Sequence, residues 1–225
     1  MTTTSGFWDP VIYSTVLDAQ GLGRVLLITG TITPTLQGLW ITGGNGTGLG
    51  GASLTSIDAG GGLYLNQSAA VLVDSVVISN TSSTGDHGDG GGLYLYQSPA
   101  TLTGNEILSN TGSRVDVGLG GGVVLWGSAV TLTQNRVVGN RASTGAGGDG
   151  GGIWSYESPA VIEENTIQGN AASTASMGNG GGLCLTHSPA TVRGNILQGN
   201  AAGTGSWGNG GGLSLSHSPA AVRSR

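Results

Sequence analysis

Glu157, His187 and His217 recur at thirty-residue intervals, and their types are those that bind metals or move protons. A carboxylate and two imidazoles on neighbouring rungs of a repeat could hold a divalent metal or share a proton, because histidine changes charge near neutrality. The same column holds Gln67, Gln97 and Gly127, so solvated corner residues are the simpler reading and no metal or other cofactor is assigned. Asp86, Asp89 and Asp149 lie in glycine-rich stretches of the kind that wrap calcium. Calcium requires six or more oxygens from one defined loop, and the Gly-Gly-x-Gly-x-Asp nonapeptide of calcium β-rolls is absent. The Asp89 column becomes Leu119, Asn179 and Asn209 in other periods, so these acids read as turn formers.

The aromatic residues form a more extended set. Tyr64, Tyr94, Tyr96, Trp126, Trp154 and Tyr156 are expected on the outward side of one short strand in each of four successive periods. Rings stacked in this way form a ligand-binding face for sugar rings or a partner protein, since contiguous exposed aromatics mark interaction surfaces. The competing reading is that polar loops fold over them, or that the rings brace the sheet. For cleavage of polysaccharides the nearest set is Glu157, Glu163 and Glu164 with Arg193. Glycoside hydrolysis needs two carboxyl groups about 5–10 Å apart in a cleft. A corner residue and two adjacent residues of the next strand are not expected to converge in that way.

Other chemistries are excluded by type and context. Cys184 is the only cysteine, which rules out an internal disulfide and a cysteine-based zinc site. No Gly-Lys-Ser/Thr follows any glycine run, so these runs are not phosphate cradles. The Thr84, Thr144, Thr174 and Thr204 column would suit an ice-binding array, but Arg114 interrupts it. The net charge is −5 and every basic residue is arginine, which argues against nucleic acid as a partner. No apolar run is long enough to span a membrane, and the first residues show no signal peptide.

The elements that must position these residues follow from a repeat. Triple glycines start at Gly60, Gly90, Gly120, Gly150, Gly180 and Gly210 without a slip. Apolar residues follow at the third and fifth places, as at Leu63 and Leu65 or Leu93 and Leu95, which is the alternation of a half-buried strand. A serine corner comes next (Ser68, Ser98, Ser128, Ser158, Ser188, Ser218), often followed by proline. The second strand presents Leu72, Leu102, Leu132, Ile162 and Val192 inward. A third presents Val77, Ile107, Val137, Ile167 and Leu197, flanked by asparagines at 105, 135, 165 and 195 and at 80, 110, 140, 170 and 200. Each period therefore predicts three strands, two corners and a polar loop of about ten residues.

Forty-six glycines and 8% charged residues are an odd composition for a globular domain, but 37% hydrophobic content is too much for a disordered linker. A few inward aliphatics cannot offset the entropy of ordering thirty residues, so single turns cannot stand alone. Stacked at about 4.8 Å, each strand bonds to its equivalents and the asparagines become amide ladders. The fold class is therefore all-β, a single-stranded parallel β-helix of about seven coils with a thirty-residue period, right-handed by the crossover rule. The Leu-x-x-Leu-x-Leu-x-x-Asn pattern of a leucine-rich repeat is absent. Residues 1–14 read as a polar lead-in, 15–59 as irregular first coils and 60–225 as regular coils, the last incomplete. Within the irregular part, Leu36, Gly38 and Ile41 match Leu102, Gly104 and Ile107, and the loop that follows is six residues longer than its later equivalents.

Leu-Asp-Ala-Gln-Gly at 17–21, Gly-Leu-Trp-Ile-Thr-Gly-Gly at 38–44 and the repeated Gly-Gly-Gly-aliphatic and Asn-x-aliphatic-x-x-Asn units resemble right-handed parallel β-helix repeat proteins of bacterial surfaces. They also resemble the repeats of polymorphic outer-membrane proteins. The likeness covers about Thr15 to Val222. It implies an extracellular or surface location and a noncatalytic role as scaffold or adhesin, with a polysaccharide or surface protein as partner. The same architecture hosts pectate lyases, polygalacturonases and phage tailspikes, so a lyase or glycoside hydrolase is the alternative. Both ends present unpaired strand edges, which implies a segment of a longer chain or end-to-end self-association.

Overall fold

The computed structural model describes residues 15–52, 57–204 and 207–224, so the polar lead-in expected over 1–14 lies outside the described residues. The described residues form strands and turns only, and every strand-to-strand pairing is parallel. Each complete turn has five short strands, as in Leu63–Asn66, Ala70–Val73, Val76–Ile78, Thr81–Ser83 and Gly88–Asp89. The expectation of three strands is thus corrected. The stretch read as a polar loop supplies two more strands, which stack into a five-stranded and a six-stranded sheet beside three seven-stranded ones. The expected seven coils are corrected to five complete turns, starting at Leu63, Leu93, Val123, Ile153 and Leu183, with partial turns on either side.

Register is set by the repeat. Leu63 lies opposite Leu93, Leu93 opposite Val123, and so on at thirty residues. In the first turns Leu36 meets Leu72 and Ile41 meets Val77, a spacing of 36 that absorbs the longer loop. The glycine runs make the corner possible at two levels. Gly90 has φ +63°, a left-handed conformation that costs a residue with a Cβ. At Gly91 a Cβ would lie 2.2 Å from the backbone oxygen of Thr111, so the fourth strand of the turn can pass only over a bare backbone.

Inside, Leu65, Leu72, Val77, Leu95, Leu102 and Ile107 and their equivalents form one continuous core. Two asparagine ladders line it. The Asn140 amide is fully satisfied: its Oδ1 accepts from the Asn110 backbone N–H at 2.9 Å and from Asn110 Nδ2 at 3.0 Å, while its Nδ2 donates to the Ile107 carbonyl at 2.8 Å and to Asn170 Oδ1 at 3.0 Å. A third ladder runs through the corner serines, where the Ser98 N–H donates to Ser128 Oγ at 2.9 Å and Ser128 N–H to Ser158 Oγ at 2.9 Å. Buried polar groups that would otherwise be orphaned at every corner are thereby paired from rung to rung.

A second core lies outside the first sheet. The fourth and fifth strands fold back over its outer face and bury Tyr64, Tyr94, Val124, Trp154 and Cys184 together with Ala59.

Candidate functional site

The strand after each glycine run positions two outward residues per turn, and they have different fates. The first column, Tyr64, Tyr94, Val124, Trp154 and Cys184, is buried, with Tyr94 fully so. The expectation that Tyr64, Tyr94 and Trp154 belong to an exposed binding face is therefore corrected: the folded-back strands cover them, and they pack as core. The second column, Tyr96, Trp126 and Tyr156, stays half-exposed along the rim of that second core.

From Trp126 onward the rings of this rim touch one another. The Trp126 ring is 5.1 Å from Tyr156 and 5.5 Å from the buried Trp154, and Trp154 and Tyr156 stack with planes 6° apart. Tyr156 meets His187 edge-on at 5.8 Å, and His187 stacks on His217 at 4.9 Å. Hydrogen bonding to the carboxylate of Glu157 holds the Tyr156 phenol above its ordinary pKa. Glu157, His187 and His217 share left-handed corner positions with Gln67 and Gln97. Among the described residues no three His, Cys, Asp or Glu side chains group in a way that could hold a metal ion.

The acids of the glycine-rich stretches are dispersed. Asp89 is 1% exposed; its Oδ1 is 2.9 Å from His87 Nε2 and accepts from the Leu119 N–H at 3.2 Å. Burial pushes the Asp89 carboxyl up, against the pull of His87; His87 itself is raised, the bond and charge of Asp89 outweighing its own burial. Asp149, half-buried, accepts at Oδ1 from the Asn179 N–H at 2.8 Å and from Asn179 Nδ2 at 2.9 Å. Cys184 lies beneath, its thiol pushed up to about 12, first by burial and then by the charge of Asp149. The acids weighed for glycoside cleavage are tied along the stack: Glu163 pairs with Arg193 at 3.2 Å, and Glu164 accepts from Gln134 at 3.2 Å.

The long loop of the first turns closes one end of the second core. Arg24 Nε donates to the Ala59 carbonyl at 2.6 Å, a second guanidinium nitrogen donates to Gly50, and the cation sits 5.0 Å over the Tyr64 ring. The Tyr64 hydroxyl donates to the Gly51 carbonyl at 2.6 Å.

Sequence reasoning missed the folding back of the fourth and fifth strands. Its signal was a further serine column, Ser83, Ser113, Ser143 and Ser173. Each Oγ caps the following turn, as when Asp116 N–H donates to Ser113 Oγ at 3.0 Å, and those of Ser113, Ser143 and Ser173 also donate to the previous turn, as from Ser143 Oγ to the Asp116 carbonyl at 2.7 Å.

A coiled stack of parallel sheets with amide ladders from turn to turn defines a β-solenoid repeat protein. The family model described as a right-handed beta helix region matches residues 37–219, and the chain belongs to that family. The right-handed parallel β-helix is thus the fold of this chain. No curated protein matches it. Among solved structures, the pentapeptide repeat protein HetL of the cyanobacterium Nostoc is 13% identical over 86% of this chain and 89% of its own, at a TM-score of 0.12.

Proposed function

We propose that this chain is a noncatalytic, extracellular or cell-surface β-helix module, a scaffold or adhesin that binds uncharged glycan along the rim formed by Tyr96, Trp126 and Tyr156 and continued by His187 and His217. The observation that carries the reading is the in-register strip of half-exposed rings, one per rung, each backed by a buried ring or apolar residue that fixes its orientation. Sugar rings present apolar faces that suit such stacking, and the net charge of −5 disfavours anionic polymers. The likeness to bacterial surface repeat proteins supports the location. The tying of Glu163 to Arg193 and of Glu164 to Gln134 supports the absence of catalysis over the lyase or hydrolase alternative.

Titration with neutral oligosaccharides of β-linked glucose, xylose and N-acetylglucosamine, read by tryptophan fluorescence, tests this. At least one series is expected to bind, and Trp126→Ser with Tyr156→Ser to weaken it about tenfold or more, as expected when roughly 1.4 kcal/mol of ring contact is lost. Binding that survives the double substitution refutes the site. Cleavage of pectin or alginate that Glu157→Gln abolishes refutes the noncatalytic reading.

A further inference from the structure

The fifth strand places one residue per turn over the second core, in the order Ala59, Asp89, Leu119, Asp149, Asn179 and Asn209. The residue two places earlier is at least partly exposed: His87, Val117, Gly147, Met177 and Trp207 for the last five. In the first two of these pairs the partners match in chemistry. His87 lays its imidazole against the Asp89 carboxyl at 2.9 Å, and the apolar Val117 stands before the apolar Leu119. In the third, Asp149 has only Gly147 before it.

A notch of about 180 Å³ opens at that place. Gly147, Gly148 and Gly178 line it with bare backbone, Val117, Leu119 and Met177 with apolar surface, and Asp149 and Asn179 with polar groups. The two donors that meet Asp149 both come from Asn179, a neutral residue, and both reach Oδ1. Among the described residues neither His nor Arg pairs with Asp149; the three ion pairs lie at Asp89, Glu106 and Glu163. The carboxylate is half-buried and, first through desolvation, raised in pKa, which marks the environment of a charge without its counterion. Two turns earlier the same fold answers the same residue with an imidazole.

We propose that the notch over Asp149 is a binding site for a planar N–H donor cation, imidazolium or guanidinium, which takes the place that His87 occupies over Asp89. The cation's N–H donates to the Asp149 carboxylate, and its flat faces lie against Val117 and Met177. A free small molecule and a histidine or arginine side chain of another protein share this chemistry. The site does not depend on the aromatic rim or on its glycan.

The test is a titration at pH 6 with imidazolium chloride, with methylguanidinium and with the capped tripeptide Gly-His-Gly, followed by backbone amide shifts in uniformly ¹⁵N-labelled protein. Saturable shifts are expected at Gly147–Asp149 and Gly178–Asn179. Asp149→Asn is expected to weaken them at least tenfold. Gly147→His is expected to abolish them by filling the notch from within; the site admits a side chain, since a Cβ there meets only the Met177 carbonyl, at 3.3 Å, and no left-handed φ is required. His87→Gly is expected to open a second site, with new saturable shifts near Asp89. Tighter binding of the tripeptide than of imidazolium assigns the site to a protein partner, and the reverse order assigns it to a small molecule. If no probe gives saturable shifts, or if they persist undiminished in both Asp149→Asn and Gly147→His, the proposal is wrong.

Discussion

Asn140→Ala is expected to be among the most destabilising single substitutions in this protein that leave the apolar core untouched. The wild-type amide makes four bonds, to Asn110 N, Asn110 Nδ2, Ile107 O and Asn170 Oδ1, at 2.8–3.0 Å. Alanine removes all four and leaves the Asn110 N–H and the Ile107 carbonyl short of a partner in a dry interior. At about 1–3 kcal/mol for each such group, together with weakened bonds to the two neighbouring amides, the loss sums to roughly 3–6 kcal/mol. Asn200 provides the internal comparison. It is half-buried and receives from Asn170 and donates to the Ile167 carbonyl, without the donation to a following asparagine that Asn140 makes. Its replacement by alanine should cost about half as much or less. Urea unfolding followed by circular dichroism measures both, and hydrogen exchange at the Asn110 amide reads the orphaned donor directly. If Asn140→Ala lies within about 1 kcal/mol of wild type, or if Asn200→Ala costs as much, the ladder is incidental and packing alone holds the turns.

Trp154→Ala should cost about 3–5 kcal/mol in the same assay because it empties the second core, while Tyr96→Ala on the rim should cost far less. Gly91→Ala should prevent native folding or destabilise strongly, since its Cβ would overlap the Thr111 backbone at 2.2 Å; Gly147→Ala, whose Cβ would meet only the Met177 carbonyl at 3.3 Å, should cost far less. Cys184 should resist alkylation by iodoacetamide at neutral pH and react only after unfolding, because burial holds its thiol near pKa 12. The His87–Asp89 pair should make stability fall as pH rises. His87 is raised on folding, so its contribution is complete below the unfolded histidine range and is lost as pH climbs through the higher folded value. Asp89 is also raised, so ionising it above the usual carboxylate range costs stability in the same sense. Asp116 of the next turn adds to the raising of His87. The gap in unfolding midpoint between wild type and His87→Asn should therefore narrow from pH 6 to pH 9.

The coil itself was legible because its signals are periodic and chemical. The alternation at Leu63 and Leu65, the aliphatics at Leu72 and Val77 and the two asparagine columns each have one physical use, and each stands inward or in a ladder as its residue type requires. The fourth and fifth strands were not legible, because Thr81–Ser83 and Gly88–Asp89 are short and lack an apolar alternation. They are held by serine caps and by glycines that admit a neighbouring backbone, which in sequence resemble any polar loop. The fate of Tyr64, Tyr94 and Trp154 depended on those strands and so was misjudged with them. Tyr96, Trp126 and Tyr156, two places further along the same strand, lie at the margin of the covering and remain in reach of a ligand.

The asparagine columns also give the molecule a direction. Asn80 donates to Asn110, Asn110 to Asn140 and Asn140 to Asn170, always from the earlier residue to the later, so the amide dipoles add and do not cancel. A column of this kind has a donor face and an acceptor face. Copies that continued it could join only head to tail, and a two-fold arrangement would set like pole against like.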